Sequence, residues 1–558
     1  MKWNSKKILL MICVGLTGSA LFSFNKGDDR NFQIAKNLDI FNAIFKELDM
    51  FYVDTIDPEK VIKYGIDAML AQTDPYTEYY PEEDNTLKEM TSGKVIRYYT
   101  PRKRVAIIEP SEGSPAAEIG LKAGDIIMEI NGKDMAQGDR IPNDLTSYVS
   151  DNLRGEPGTT CVLKVERPTS DSTYVPMEFK ITRSTIRTNP VPYYGIVGNN
   201  VGYIVISTFA IENCSKDIKK ALIELKQQGA KSIVLDLRGN GGGLLGEAVN
   251  VVNFFVPKGK EIVVTKGKIK QAGTTYKTMN EPVDTEIPLA VLVDGSTASA
   301  SEIVSGSLQD LDRAIVVGSR TYGKGLVQVP RELPYNSSMK VTTAKYYIPS
   351  GRCIQAIDYA KRNADGSVAR TPDSLTNVFH TAAGREVRDG GGIRPDVEVK
   401  VENFPNIMFY LLNDDMIFDY ATQYCIKHSQ VGEVKDFTIT DADYVDFKKM
   451  LHKRKFTYDR QSEKMLKNLK EIAEFEGYMD GAKEEFAALE TKLTHNLDHE
   501  LDRFSKEIKD AIAQEILKRY YFQRGAILQR LKDDPDLKKA IETLNNQSEY
   551  SKILSVMK

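Results

Sequence analysis

IPLAVLVDGSTASASEIVSGSLQD, residues 287–310, decides the fold of the chain's central part. Its first eight residues are a nearly continuous apolar run, the pattern of a strand buried on both faces. Hydroxyls then crowd the chain at Ser296, Thr297, Ser299, Ser301, Ser305 and Ser307, while Ile303, Val304 and Leu308 recur at helical spacing. The segment reads as strand, tight loop and helix, with Ser299 at the helix start. A linker would account for the serines but not for the periodicity on either side. Position and hydroxyl together make Ser299 a candidate nucleophile. Ser299 and Glu302 also form S-x-x-E, a capping box worth about 1 kcal/mol with or without chemistry.

The neighbouring sequence repeats this alternation. VGYIVISTF (201–209), a helix from about Glu212 to Gln228, KSIVLDL (231–237), a glycine-rich loop and a helix all precede the quoted stretch. Continuous apolar strands separated by helices predict a largely parallel sheet over 186–400, covered on both faces.

A serine nucleophile needs a base. The five histidines, His380, His428, His452, His495 and His499, all lie late in the chain, and only His380 precedes the helical tail. Lysine is the other known partner. AIVVGSRTYGKGLVQVP (314–330) places Lys324 between two glycines and between two apolar runs, one helix and one returning strand after Ser299. A free lysine amine, with a pKa of about 10.4, must be desolvated to act as a base near neutrality. Gln328 could accept from that amine and aim it without adding negative charge. LDLRGNGGGLL (235–245) ends a strand in glycines, whose amides can face an oxyanion. Gly242 is the expected donor there. Ala300, at the helix start, is the second. Gly318 to Lys324 also fits the nucleotide-binding pattern G-x-x-x-x-G-K. However, Gly325 stands where a hydroxyl should hold magnesium, and the chain continues as a strand.

Farther upstream, EGSPAAEIGLKAGDIIMEING (112–132) supplies a capped short helix at Ser114-Pro115, a strand, and the hairpin signal Asn131-Gly132. A helix carrying Leu145, Tyr148, Val149 and Leu153 and the strand CVLKV (161–165) follow. This order, with SPA, GLKAGD and ING, resembles a PDZ domain, a module that binds chain ends by adding the peptide as a strand. In place of that family's Gly-apolar-Gly carboxylate loop, TSGKVIRYYTPRKRV (91–105) has one glycine.

DLRGNGGGLL, TASASEI, QDLDRAIVVG and TYGKGLVQ jointly resemble the carboxyl-terminal processing (tail-specific) peptidases, whose clan-mates have crotonase-like folds. YYIPSGRCIQ and GGGIRPDVEV match the same family, with Cys353 where serine is more usual. The resemblance covers roughly residues 35–400. It implies an exported serine endopeptidase cutting near protein C-termini through an acyl-enzyme, without metal or cofactor. Ser299 would be its nucleophile, Lys324 its base and Gln328 the lysine-orienting residue. Oxyanion donors would fall in Gly241–Gly243 and at Ala300. An aspartate assigned in some members would be Asp310, read here as ending the helix. A catalytically silent scaffold is the alternative.

The expected fold is thus multidomain α/β. It comprises a signal peptide or anchor (1–24), an N-terminal helical region (25–89), a PDZ-like β domain (90–168), a crotonase-like serine-lysine peptidase core (169–402) and a C-terminal helical domain (403–558). The leader is read from basic MKWNSKK, apolar ILLMICVGL and small TGSA. It predicts a periplasmic or cell-envelope location and leaves membrane association through the N-terminus open. Leu38, Phe41, Ile44, Phe45, Leu48 and Tyr52 have the spacing of a buried helix face. Phe486, Leu489, Leu493, Leu497, Leu501, Phe504, Ile508 and Ile512 predict one long amphipathic helix, packed in a bundle, a homo-oligomer or against an adaptor. Unfolded C-terminal tails are the expected substrates. Across 558 residues the net charge is −3, which gives no reason to expect nucleic acid. Cys161, Cys214, Cys353 and Cys425 are scattered, without the spacing of a zinc site.

Overall fold

The sheet that the quoted strand enters has the order Val397–Glu398, Ile315–Gly318, Leu289–Val293, Ser232–Asp236, Val201–Val205, Tyr194–Val197. All neighbours are parallel except the last pair, which is antiparallel. The computed structural model describes residues 29–82, 95–170, 173–363, 365–400, 404–493 and 496–555. The expected leader and His495 lie outside these residues, as do residues 91–94 of the carboxylate-loop stretch.

Each central strand is buried along its whole length, which is why its sequence lacks polar alternation. Helices Cys214–Gln227, Leu245–Asn253 and Ala300–Asp310 cover one face through Ile218, Leu222, Val252, Ile303 and Leu308. The other face is covered from the far end of the chain. Helices Pro535–Asn545 and Gln547–Leu554 pack Leu537, Ala540, Leu544 and Tyr550 on Tyr203, Val234, Leu292 and Val317. The Tyr550 hydroxyl accepts from the Leu289 amide at 3.0 Å. The tail therefore completes the core of its own chain.

The β domain forms a second sheet, Ile96–Tyr99, Arg104–Ile107, Ile126–Ile130, Thr160–Pro168 and Tyr174–Thr182, in that order. Its last strand lies beyond the residue 168 expected to end it, and pairs with Thr160–Pro168 along its whole length. Ser114 caps its short helix by accepting from the Ala117 amide, and Asn131 and Gly132 take positive φ in the hairpin. This sheet rests on the tail. Arg97 pairs with Asp415, the Tyr99 hydroxyl donates to Asp419 at 3.0 Å, and Arg519 donates to the Ala123 carbonyl at 3.1 Å.

The single long tail helix is corrected to three, Lys483–Leu493, Leu497–Arg503 and Ser505–Arg530. Asn496 caps the second by accepting from the His499 amide, and Phe504 leaves helical geometry before the third. Leu501, Ile508 and Ile512 are buried as expected, whereas Leu489 is exposed. Among the described residues, no helix is long and apolar enough to cross a membrane.

Residues 29–82, with 330–341, form a separate unit. Asp57 caps helix Pro58–Ala71 as its Asp-Pro pair predicts, and strand Glu78–Tyr80 pairs with Ser338–Lys340. The buried face expected on the preceding helix (29–51) is corrected: Phe45 and Leu48 are half-buried, while Leu38, Phe41, Ile44 and Tyr52 are exposed. Periodicity identifies an apolar face but does not supply its cover.

Candidate active site

The strand Leu289–Val293 ends at Asp294, whose carboxylate accepts from the Ser296 and Thr297 amides and from Gly239 in the adjacent loop. The Thr297 hydroxyl donates to the Leu237 carbonyl at 2.9 Å, and the Ala298 amide to the Asn240 carbonyl at 3.0 Å. The turn before the helix is thereby sewn to the glycine loop of the next strand. Ser299 sits at its end with φ +56° and ψ −117°, a backbone region that costs an L-residue of order 1–3 kcal/mol. Backbone held in such a region by its surroundings clusters at functional sites.

Gly242 lies directly against this serine. A Cβ built there would come 2.8 Å from the Ser299 Cβ and the Ala300 nitrogen, and 2.7 Å from the Ala298 carbonyl oxygen. Its amide, however, is not the free oxyanion donor expected. It donates to the Asn240 Oδ1 at 2.9 Å, in a turn that the fully buried Asn240 makes with its own backbone. The amide of Ala300, in the first turn of the helix, has no acceptor among the described residues.

Lys324 is brought to the same place. The Glu302 Oε2 accepts from the Ser299 amide and from the Lys324 amide, each at 2.9 Å. The Tyr346 hydroxyl lies 2.6 Å from the Lys324 carbonyl and 3.2 Å from the Ser299 carbonyl. Both residues are half-buried. The two backbones thus share partners on their N–H side and on their C=O side.

Glu302 also accepts at Oε1 from the Gly323 amide (2.8 Å) and the Thr321 hydroxyl (2.5 Å), and is fully buried. Burial pushes its carboxyl up to about 7, against the pull of these hydrogen bonds. Read from sequence, Glu302 was only the end of a capping box. The S-x-x-E signal located it but did not reveal its partners in 321–324. Tyr346 carried no such signal.

The Gln328 amide nitrogen donates to the Thr342 hydroxyl at 3.1 Å, on the strand that follows Lys324. Asp310, at the other end of the Ser299 helix, is paired with buried Arg352 at 2.7 Å and accepts from the Ser350 amide. It has the structural role expected of it. His380 is exposed in the hairpin Val378–His380 and Glu386–Arg388. The chain after Lys324 is the strand Leu326–Glu332, not the helix that a nucleotide-binding loop requires.

Comparison with known proteins identifies the families that the chain resembles. The model of peptidase family S41 matches residues 200–361, a PDZ domain model matches 107–167, and a model described as "Probable PDZ-protease, C-terminal helical domain" matches 407–544. A carboxy-terminal-processing protease of Bartonella bacilliformis is 34% identical over 331 residues, covering 58% of this chain and 73% of that protein. A probable CtpA-like serine protease of Staphylococcus aureus is 32% identical over 355 residues, covering 62% of this chain and 67% of that one. Among solved structures, the photosystem II D1 C-terminal processing protease is 26% identical with a TM-score of 0.35, covering 65% of this chain and 93% of that chain. Strand, strained serine and shared glutamate thus belong to a serine protease fold with a PDZ domain and a C-terminal helical domain, and the chain is a member of peptidase family S41, the carboxy-terminal-processing proteases.

Proposed function

We propose that this protease is exported and cleaves proteins near their C-termini, with Ser299 as nucleophile and Lys324 as general base on a crotonase-like core. Ser299 Oγ bonds to the scissile carbonyl carbon as its proton passes to an uncharged Lys324 amine. The amine returns that proton to the leaving nitrogen as the C–N bond breaks, leaving an ester on Ser299. Water, deprotonated by the same lysine, then releases the acid and regenerates the serine. Gln328 orients the amine, and the Ala300 amide, helped by the helix dipole, stabilises the oxyanion. Unfolded tails reach this site by way of the PDZ-like domain.

One observation carries the reading: Ser299 in a strained backbone and Lys324 from another loop present their amides to one carboxylate oxygen. The test is mass spectrometry of products from a substrate with an unfolded C-terminal tail. Wild type is expected to cut near the C-terminus, and Ser299→Ala and Lys324→Ala to lose about 10⁴-fold or more in kcat. Cleavage by Ser299→Ala at the wild-type rate would remove the assignment. Absence of cleavage by wild type and variants alike would favour the silent scaffold.

A further inference from the structure

We infer that Glu302 is a positioning residue for catalysis, a carboxylate clamp that sets the loop of Lys324 against Ser299. The inference rests on the assignment of those two residues as nucleophile and base.

A cap alone does not account for what Glu302 does. An N-terminal box requires a single return bond to the first residue, and here that bond runs from the Ser299 amide. Three further donors, the Thr321 hydroxyl and the Gly323 and Lys324 amides, come from the other loop. A carboxyl with no exposed surface also pays a desolvation penalty that one exchangeable capping bond does not offset. Such a group persists where its whole set of donors is satisfied, and both oxygens are: each accepts twice.

The division between the oxygens gives the clamp its direction. Oε2 takes the nucleophile's amide and the base's amide together, while Oε1 takes the two donors that anchor the rest of the loop. Thr321 is itself fixed, since its Oγ1 accepts from the Ile393 amide at 2.6 Å. The loop therefore cannot slide without breaking contacts on both sides of the carboxylate. Proton transfer between a serine hydroxyl and a lysine amine depends on that distance, and a misplacement of about 1 Å can cost about 10²-fold.

Glu302→Gln tests this, because the amide replaces one oxygen with an –NH2 group. Turned one way its –NH2 meets the Ser299 and Lys324 amides, and turned the other way the Gly323 amide, so at least one backbone N–H then faces a donor. Kinetics on the tail-bearing substrate and the rate of Ser299 modification by a small fluorophosphonate are measured well below each variant's melting temperature. The expected result is a fall of about 10²-fold in kcat and in modification rate, with KM within about twofold of wild type. Wild-type kcat and modification in Glu302→Gln, with Ser299→Ala and Lys324→Ala inactive, would overturn the inference while leaving the Ser-Lys assignment standing; an effect confined to KM would do the same. Activity in Ser299→Ala would instead overturn the assignment beneath it. Should Glu302→Gln fail to fold, Glu302→Asp is read in the same assays. Its carboxylate, one methylene shorter, cannot hold both pairs of donors, so kcat is expected to fall at least about tenfold with KM unmoved, and a wild-type kcat there overturns the clamp.

Discussion

Gly242 and Gly243 are adjacent and conformationally similar, yet their surroundings assign them different work. Gly242 has φ +100°, and the atoms a Cβ would strike belong to Ala298, Ser299 and Ala300. Gly243 has φ +145°, and a Cβ there would come 2.1 Å from the Ala210 nitrogen and the Phe209 carbonyl carbon, across an isolated parallel bridge beyond the strand ends. Gly242→Ala is therefore expected to shift the serine turn and lower kcat by about 10²-fold while the protein still folds. Gly243→Ala forces two backbones apart and is expected to cost 4 kcal/mol or more by roughly the scale of exceptional point mutants. Thermal melts and kcat of the two variants check this; equal loss of fold in both would show that the loop has no division of labour. The glycine run was legible in the sequence, as were Ser299 and Lys324. What the sequence could not show is the use of the Gly242 amide by Asn240, because an Asx turn and an exposed donor are compatible with the same letters.

At the scale of elements, the strand Ser232–Asp236 delivers the glycine loop, and its end is held by charge. Arg238 Nη2 lies 2.7 Å from the Asp236 carboxylate and 2.6 Å from that of Asp534, and Nη1 lies 2.9 Å from Asp536. The Asp236 and Asp534 side chains have 1% and 2% of their surface exposed, so this is a buried network. Burial alone would raise the Asp236 carboxyl, but Arg238 and Arg530 hold it below its ordinary value. Asp534 also caps the helix Pro535–Asn545 by accepting from the Leu537 amide. One arginine thus ties the tail to the loop beside Ser299. Removing it takes the guanidinium away from buried Asp534 and leaves Arg530 as the cation beside Asp236, a loss of about 3–5 kcal/mol. Arg238→Met is expected to lose that much in urea unfolding, and Arg238→Met with Asp534→Asn to regain part of it. Additive losses would show that the pair is not coupled. The helix start at Asp534-Pro535 is readable from its letters. Its pairing with Arg238 is not, because nothing local in a sequence marks a contact made 296 residues away.

For the whole molecule, continuous apolar strands predicted a sheet covered on both faces, and periodicity predicted a helical tail; neither said that the tail is the cover. An apolar face is satisfied by any apolar partner, so the pattern is silent about which one comes. The sheet residues beneath the last two helices include Val201, Tyr203, Val205, Val234, Leu292, Ile315 and Val317. Burying a large apolar side chain contributes roughly 1.5–3 kcal/mol, so exposing several of them exceeds the roughly 5–15 kcal/mol that holds a domain folded. The hairpin Gln461–Leu493 is a contrast, because Met465, Leu469, Ile472 and Phe475 are already exposed on it. Truncation after Asp533 is therefore expected to yield insoluble or dye-binding protein without activity, even though every candidate catalytic residue remains. Replacing 461–493 by a short linker is expected to leave a soluble protein with a cooperative melt. Solubility, binding of a hydrophobic dye and melting curves of the two deletions decide the matter. A soluble, active chain ending at residue 533 would mean that the sheet keeps its fold with one face bare, and that the tail's last helices serve something other than the core.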